Sequence, residues 1–166
     1  MDIAAFSIAC LGLFIAVLSL GWQVASWALE GRRVRVVLKH GAMGPGGSVS
    51  GPVECSGRPR DLSAVRAEGL TGTEVLGVTV TNIGRAPVTV SKYSANLVKA
   101  GFSFSPIGNR IGPELPFRLP PGESETWYAH ALASATATVK RHCGKVSMSV
   151  ELGTGDVKTT ARFLRV

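Results

Sequence analysis

The chain has 166 residues, of which 45% are hydrophobic and only 17% are charged. A typical globular domain is about 25% charged, and the shortage here is uneven. No charged residue occurs from 3 to 29, and all 18 Lys and Arg lie at or beyond Arg32. The length allows one domain with a sizeable core. It excludes a Rossmann domain joined to a substrate domain and a (β/α)₈ barrel, and the apolar content excludes a disordered chain.

The uncharged run Ile3–Leu29 predicts a single transmembrane helix within a segment 1–30. At about 1.5 Å per residue its 27 residues extend about 40 Å, which exceeds the hydrocarbon core of about 30 Å. Indole rings favour the water–lipid interface, and basic residues flank spans on the cytoplasmic side. We therefore assign five residues to the membrane interface: Trp22, Trp27, Arg32, Arg33 and Arg35.

Two alternatives to an anchor remain open at this stage, a buried core helix and a cleaved signal peptide. Core helices rarely extend this far without a charge. A signal peptide begins with a positively charged region, whereas here only the amino terminus and Asp2 precede the run. Both observations favour an uncleaved, single-pass anchor in contact with the lipid bilayer.

The positive-inside rule places the C-terminal domain in the cytoplasm, because the basic residues follow the span. Within the span, small residues lie four apart in three pairs: Ala5 and Ala9, Gly12 and Ala16, Gly21 and Ala25. This spacing lets helices approach closely, so self-association through the helix is a further prediction.

Residues 31–166 are predicted to form a mainly β domain. Apolar and polar residues alternate at 32–40, 76–80, 102–104 and 146–152, as in half-buried strands. Turn residues at 82–87, 119–123 and 153–156 separate these runs, and the last turn predicts a hairpin with 157–166. Apolar residues recur at helical spacing over 130–141, which predicts one short helix. Six to eight short strands are typical of an antiparallel β-sandwich.

One strand contains a change of face. Val88 and Val90 have one parity, whereas Tyr93, Ala95 and Leu97 have the other. Because side chains alternate strictly between the faces of a strand, the change predicts a β-bulge near 91–92, or a change of sheet.

Residues 41–72 are rich in Gly, Pro and Ser and keep no period, so they predict a long irregular loop with at most one short strand near Val53. Irregular segments of about 30 residues are either functional or flexible. We assign partner contacts to this loop, at Gly46, Val53, Arg58 and Arg60, and expect the sandwich to fold when a short linker replaces it.

Two turn motifs carry a resemblance to a known family. VTVTNIGRAPVTV and, about thirty residues later, LPPGESETW resemble the bacterial Ig-like domains of the CARDB-like, cell-adhesion-related type over roughly 75–128. The resemblance implies an Ig-like sandwich of a bacterium or bacterial virus, with an adhesive or interaction role. The long loop and the helix predicted after Tyr128 depart from the family pattern.

The sequence contains no catalytic, cofactor-binding or metal-binding motif. A zinc site needs paired ligands such as C-x₂-C, which are missing, and no phosphate-binding loop or G-x-S-x-G occurs. His142 and Cys143 are adjacent in sequence, which directs their side chains apart, so a membrane-tethered Cys hydrolase is disfavoured. Cys55 and Cys143 form a disulfide if the domain is extracellular and stay thiols in the cytoplasm.

The domain is basic, since residues 31–166 contain 18 basic and 9 acidic side chains. Basic residues held against a bilayer attract anionic head groups. Nucleic acid is disfavoured as the partner, because no basic run exceeds two residues and no aromatic residues are interleaved with them. The sequence thus predicts a non-enzymatic, membrane-anchored Ig-like domain that binds a protein partner. The alternative is a structural subunit of a larger membrane-associated assembly, such as a virion, a secretion apparatus or a conjugation apparatus.

Overall fold

A computed structural model describes residues 3–29, 33–45, 47–69, 72–97, 101–105, 110–130 and 144–165. Helix α1 (Ile3–Leu29) is followed by a β domain with one short helix, α2 (Ser63–Ala67). The strands are β1 (Val34–Gly44), β2 (Gly47–Pro52), β3 (Thr73–Asn82), β4 (Val88–Leu97), β5 (Phe102–Phe104), β6 (Arg110–Ile111), β7 (Phe117–Leu119), β8 (Ser124–Ala129), β9 (Lys145–Leu152), β10 (Val157–Thr159) and β11 (Leu164–Arg165).

Helix α1 is long and apolar enough to span a membrane. Its stretch Phe6–Ser26 has a mean hydropathy of 2.1, and none of it is buried against the rest of the molecule. Apolar side chains such as Phe14 and Leu18 are about 60% exposed. The helix is therefore not a core element of the sandwich, which removes the first alternative considered for this segment.

The strands form two antiparallel sheets, which confirms the predicted fold class. Sheet A has the order β2-β1-β3-β8-β6, and sheet B has the order β10-β9-β4-β5 with β7 added to β4 and β11 added to β9. In sheet A, Val36 lies opposite Val80 and Leu38 opposite Val78, so their side chains share the inner face.

The core lies between the two sheets. Trp127 is fully buried at its centre and donates a hydrogen bond from Nε1 to the Pro113 carbonyl at 2.9 Å. Phe117 packs against it edge to face, with ring centroids 5.9 Å apart. Tyr93 of sheet B donates from its hydroxyl to the Tyr128 carbonyl of sheet A at 2.9 Å, so one buried polar group also joins the sheets.

The predicted β-bulge is confirmed. The register of β4 against β9 shifts between Val90 and Lys92. Val90 precedes the shift and Tyr93 follows it, and both side chains are buried in the core. The bulge therefore lets β4 keep its apolar residues inward despite the change of parity.

The prediction of an irregular loop over 41–72 is wrong for much of its length. Residues of β1 and β2 form an antiparallel hairpin, paired from Lys39 with Pro52 to Gly44 with Gly47. The hairpin escaped the sequence analysis because its strands contain small residues where neighbours approach closely. A Cβ at Gly51, for example, would lie 2.6 Å from the Arg60 guanidinium carbon. The observed short helix α2 also lies in this segment, whereas the helix predicted over 130–141 falls outside the described residues beyond His130.

The predicted terminal hairpin is shorter than expected. Strand β10 pairs with β9 only over Val157–Thr159, and β11 pairs again at Leu164. Thr160 interrupts the strand because its hydroxyl accepts a hydrogen bond from the Met148 amide and donates one to the Arg162 carbonyl. The Thr160 hydroxyl thus takes the place of a backbone carbonyl as the acceptor for the Met148 amide.

Candidate partner-binding site

The sandwich has two ends that β1 defines. We call the end where β1 begins, at Val34, the proximal end, since only four residues (30–33) lie between it and the last residue of α1, Leu29. The distal end is where β1 turns into β2, at Gly44. From Val34 to Ala42, β1 extends about 26 Å at about 3.3 Å per residue.

Residues 53–69, which we call the strap, follow β2 and contact both sheets of the sandwich. The Val53 amide donates to the Leu38 carbonyl of β1 at 3.0 Å. At the other sheet, the Arg165 amide of β11 donates to the Gly57 carbonyl at 2.7 Å. Leu62 is 4% exposed, so the strap also contributes a buried apolar side chain. The strap is therefore a packed segment and not a free loop.

His40 fastens the strap to β1. Its Nδ1 accepts a hydrogen bond from the Arg60 amide at 3.2 Å, which places the proton of the neutral imidazole on Nε2. That nitrogen is buried and has no hydrogen-bond partner among the residues that the structure describes; the Glu74 carboxylate lies 3.8 Å away. Burial lowers the pKa of His40 below 6.5, Glu74 opposes this shift, and the Arg60 charge adds to it.

Arg66 of α2 forms the second attachment, an ion pair with Glu74 of β3 at 2.7 Å. About half of the Arg66 side chain stays exposed, so the pair contributes little to stability. Asp61, just before α2, accepts a hydrogen bond from the Ser63 amide at 2.9 Å, and this bond lowers the pKa of its carboxyl group. Together these contacts set the position of α2.

An open cavity of about 500 Å³ lies beside Arg66 at the distal end. It is lined by Met43, Gly44, Pro45, Arg66, Gly72 and Thr73. Arg58 and Arg60 on the strap are exposed. The distal end therefore has a shallow, open depression beside the Arg66 guanidinium, which suits contact with acidic or carbonyl groups of another protein.

The predicted partner-binding residues divide into three groups. Arg58 and Arg60 are exposed on the strap, although the Arg60 guanidinium lies over Gly51 and its amide binds His40. Val53 is 3% exposed and belongs to the core, so its assignment as a contact residue is wrong. Its side chain closes the core where the strap begins. Gly46 lies outside the described residues.

The membrane-interface residues lie on both sides of the end of α1. Trp22 is 76% exposed on the helix. Trp27 belongs to the helix as well, whereas Arg32 falls outside the described residues. Arg33 and Arg35 are exposed at the start of β1. The exposed arginines thus begin within four residues of the last helical residue, Leu29.

Sequence reasoning missed His40, Arg66 and Glu74. None of them belongs to a motif, and they meet only because β1 pairs with β3 and α2 packs beside both. No group of three His, Cys, Asp or Glu side chains able to hold a metal ion occurs in the described ranges. Cys55 is an exposed free thiol on the strap, and Cys143 lies outside those ranges.

No protein-family model and no curated protein matches this chain.

Proposed function

We propose that the protein is a non-enzymatic, single-pass membrane anchor whose Ig-like sandwich presents the strap and the distal cavity to a protein partner. The observation that carries this proposal is the strap itself. It is a segment without strands that is fastened to both sheets, exposes Arg58 and places Arg66 beside the cavity. Segments of this kind on a rigid scaffold are where binding residues are usually located.

A role without catalysis is supported by the chemistry of the strap. The His40 imidazole is 2% exposed and uses one nitrogen to hold the Arg60 amide. A general base must reach a substrate proton, whereas this side chain is committed to holding the strap. The arginines of the strap provide recognition through charge and hydrogen bonds.

The proposal places α1 in the bilayer and the sandwich in the cytoplasm. Support comes from the exposed apolar surface of α1, which water does not stabilise over a length of 21 residues. The cytoplasmic side is supported by Arg33 and Arg35, which directly follow the helix. The CARDB-like resemblance of the turns at 82–87 and 119–123 adds to the interaction role.

In-cell photo-crosslinking tests the binding surface. A photoreactive amino acid replaces Arg58 in the full-length protein, and Lys158 in a matched control, because both are exposed basic residues and Lys158 lies on β10. We expect a discrete crosslinked adduct from position 58 only, identified by mass spectrometry. The second change, Arg66→Glu, is expected to abolish the adduct, since it reverses the charge beside the cavity.

Equal adducts from both positions, or none from position 58, would exclude the strap as the contact surface. A ladder of adducts containing only copies of this chain would instead favour the structural subunit of a membrane assembly. Gly12 and Gly21 have open space above their Cα atoms, which is the surface that such self-association through α1 requires.

A further inference from the structure

The proximal end carries an exposed apolar residue, Ile83. Outside α1, four large hydrophobic side chains of the described residues are exposed: Val49 at 38%, Phe104 at 46%, Val157 at 58% and Ile83 at 59%. Ile83 is the most exposed of the four, and it lies in the turn at 82–87 between β3 and β4. Nothing in the packing of the sandwich requires an apolar residue there.

The turn is fastened directly to the start of β1. The amides of Ile83 and Gly84 both donate to the Arg33 carbonyl, at 2.9 and 3.1 Å. Inside the turn, the Asn82 side chain accepts a hydrogen bond from the Gly84 amide at 3.0 Å. Ile83 is thus held in a fixed position next to Arg33 and does not extend on a free loop.

Chain length then limits the distance between Ile83 and the end of α1. Arg33 is four residues after Leu29, so their Cα atoms are at most about 15 Å apart at 3.8 Å per residue. Because α1 is longer than the hydrocarbon core, Leu29 lies at the level of the head groups when the helix spans a bilayer. The turn bound to Arg33 therefore lies close to the same surface.

The charges around the turn favour an anionic surface. Arg33, Arg35 and Arg85 are exposed near Ile83; the described acidic residues towards this end are Glu123 and Glu125 next to the second turn, Asp156 on the turn after β9, and Glu151, which pairs with Lys92. Arginine heads bind phosphate while an adjacent apolar side chain enters the region of the acyl chains.

We propose that the turn at 82–87 is a lipid-contacting site, in which Ile83 inserts at the head-group boundary of the bilayer and the three arginines bind lipid phosphates. This inference rests on the proposed membrane anchoring of α1. The anchor keeps the turn near the bilayer surface, which raises its effective concentration there. One apolar side chain is therefore sufficient to maintain the contact. The contact orients the sandwich relative to the membrane, because a sandwich that rests on its proximal end directs the strap away from the bilayer.

The test measures membrane depth at three positions of the full-length protein. An environment-sensitive fluorophore is attached to single cysteines at Ile83→Cys, Val49→Cys or Val17→Cys, after replacement of the native thiols (Cys10→Ala, Cys55→Ser, Cys143→Ser). Each protein is reconstituted into vesicles of phosphatidylcholine and phosphatidylglycerol, with or without doxyl-labelled lipid in both leaflets. Val17 lies in the middle of α1, and Val49 is an exposed apolar residue on β2 at the distal end.

We expect a blue-shifted emission and loss of fluorescence with doxyl lipid at position 83, and a water-like, unquenched emission at position 49. Quenching of the fluorophore at position 17 reports the insertion of α1 into the bilayer, independently of the turn. Quenching at 17 together with water-like emission at 83 overturns the lipid-contacting turn while leaving the anchor intact. Equal quenching at 83 and 49 also overturns it, because the contact would not be specific to the proximal end. Water-like emission at 17 refutes the anchor itself.

Discussion

Asn82 is a fully buried polar side chain that joins two turns of the proximal end. Its Nδ2 donates to the carbonyls of Ala86 at 2.8 Å and Leu119 at 3.1 Å, and its Oδ1 accepts from the Gly84 amide. Its backbone also pairs with Gly122 and Glu123 of the second turn. The two turn motifs recognised in the sequence are therefore one structural unit, with Asn82 at the contact between them.

Truncation of this side chain is expected to be strongly destabilising. Asn82→Ala removes three hydrogen bonds, to the Ala86 and Leu119 carbonyls and from the Gly84 amide, at a cost of about 2–4 kcal/mol in the free energy of unfolding. Chemical denaturation of the full-length protein in detergent measures the loss. Thr81→Ala is the matched control, because Thr81 and Ser124 share an exposed hydroxyl pair, and we expect a change within about 0.5 kcal/mol. Equal effects of the two changes would refute the role of Asn82.

His40 makes the stability of the strap depend on pH. Burial keeps the pKa of the folded-state imidazole below 6.5, so the unfolded chain binds a proton at a higher pH than the folded chain does. The free energy of unfolding is therefore expected to fall as the pH drops through 6.5 towards the folded-state pKa, by at most about 1.4 kcal/mol per pH unit. Protonation also places a hydrogen on Nδ1, which then faces the Arg60 amide as a second donor.

Denaturation at pH 7.5 and pH 5.5 compares the natural protein with His40→Asn. The Asn side chain offers an oxygen near the position of Nδ1 but does not titrate. We expect the variant to lose less stability than the natural protein between the two pH values. The same pH dependence in both proteins would assign the titration to other groups.

At the scale of the elements, sheet A is shaped by one aromatic residue. Tyr128 of β8 forms a 2.7 Å hydrogen bond with Ser50 of β2, although β3 and β1 lie between these strands. In a flat sheet, β8 and β2 would be three strand spacings apart, a distance of about 14 Å. The sheet coils and the ring lies across it, over Gly77, where an added Cβ would be 2.7 Å from the ring.

Gly77→Ala is expected to displace the ring and to cost about 1–3 kcal/mol in the free energy of unfolding. In a Tyr128→Ala background the same change meets no ring, so we expect its cost to drop by at least about 0.5 kcal/mol. A double-mutant cycle by denaturation gives this coupling. Purely additive effects would show that Gly77 is required for some reason other than the ring.

The strap changes the interpretation of loop replacement. Substitution of 41–72 by a short linker removes β2, the last residues of β1 and the buried Val53 and Leu62. The folded sandwich expected from a flexible-loop interpretation is therefore not expected from the structure. Smaller changes at exposed positions, such as Arg58 and Arg66, separate binding from folding.

At the scale of the whole molecule, Cys55 reports on the side of the membrane. Its thiol is exposed on the strap, so an impermeant maleimide labels it only where the reagent has access. For a cytoplasmic sandwich, we expect whole cells of a variant with Cys10→Ala and Cys143→Ser to show labelling only after the membrane is broken. A Cys55→Ser version is the control for background. Prompt labelling of intact cells would place the domain outside.

The sequence alone determined the properties that depend on local pattern. Uncharged length predicted the span α1, period-two alternation predicted strands such as β9, and a change of parity predicted the bulge after Val90. These features follow from the geometry of a single helix or strand, so neighbouring residues are sufficient to reveal them.

Only the tertiary structure decided what depends on partners distant in the chain. Gly41 of the β1–β2 hairpin has no side chain because the β2 backbone at Val49 and Ser50 lies against it. Val53 is buried because the strap closes the core, and His40 holds the Arg60 amide twenty residues away. Such roles are set by space and hydrogen-bond partners that other segments supply, and a local pattern carries no record of them.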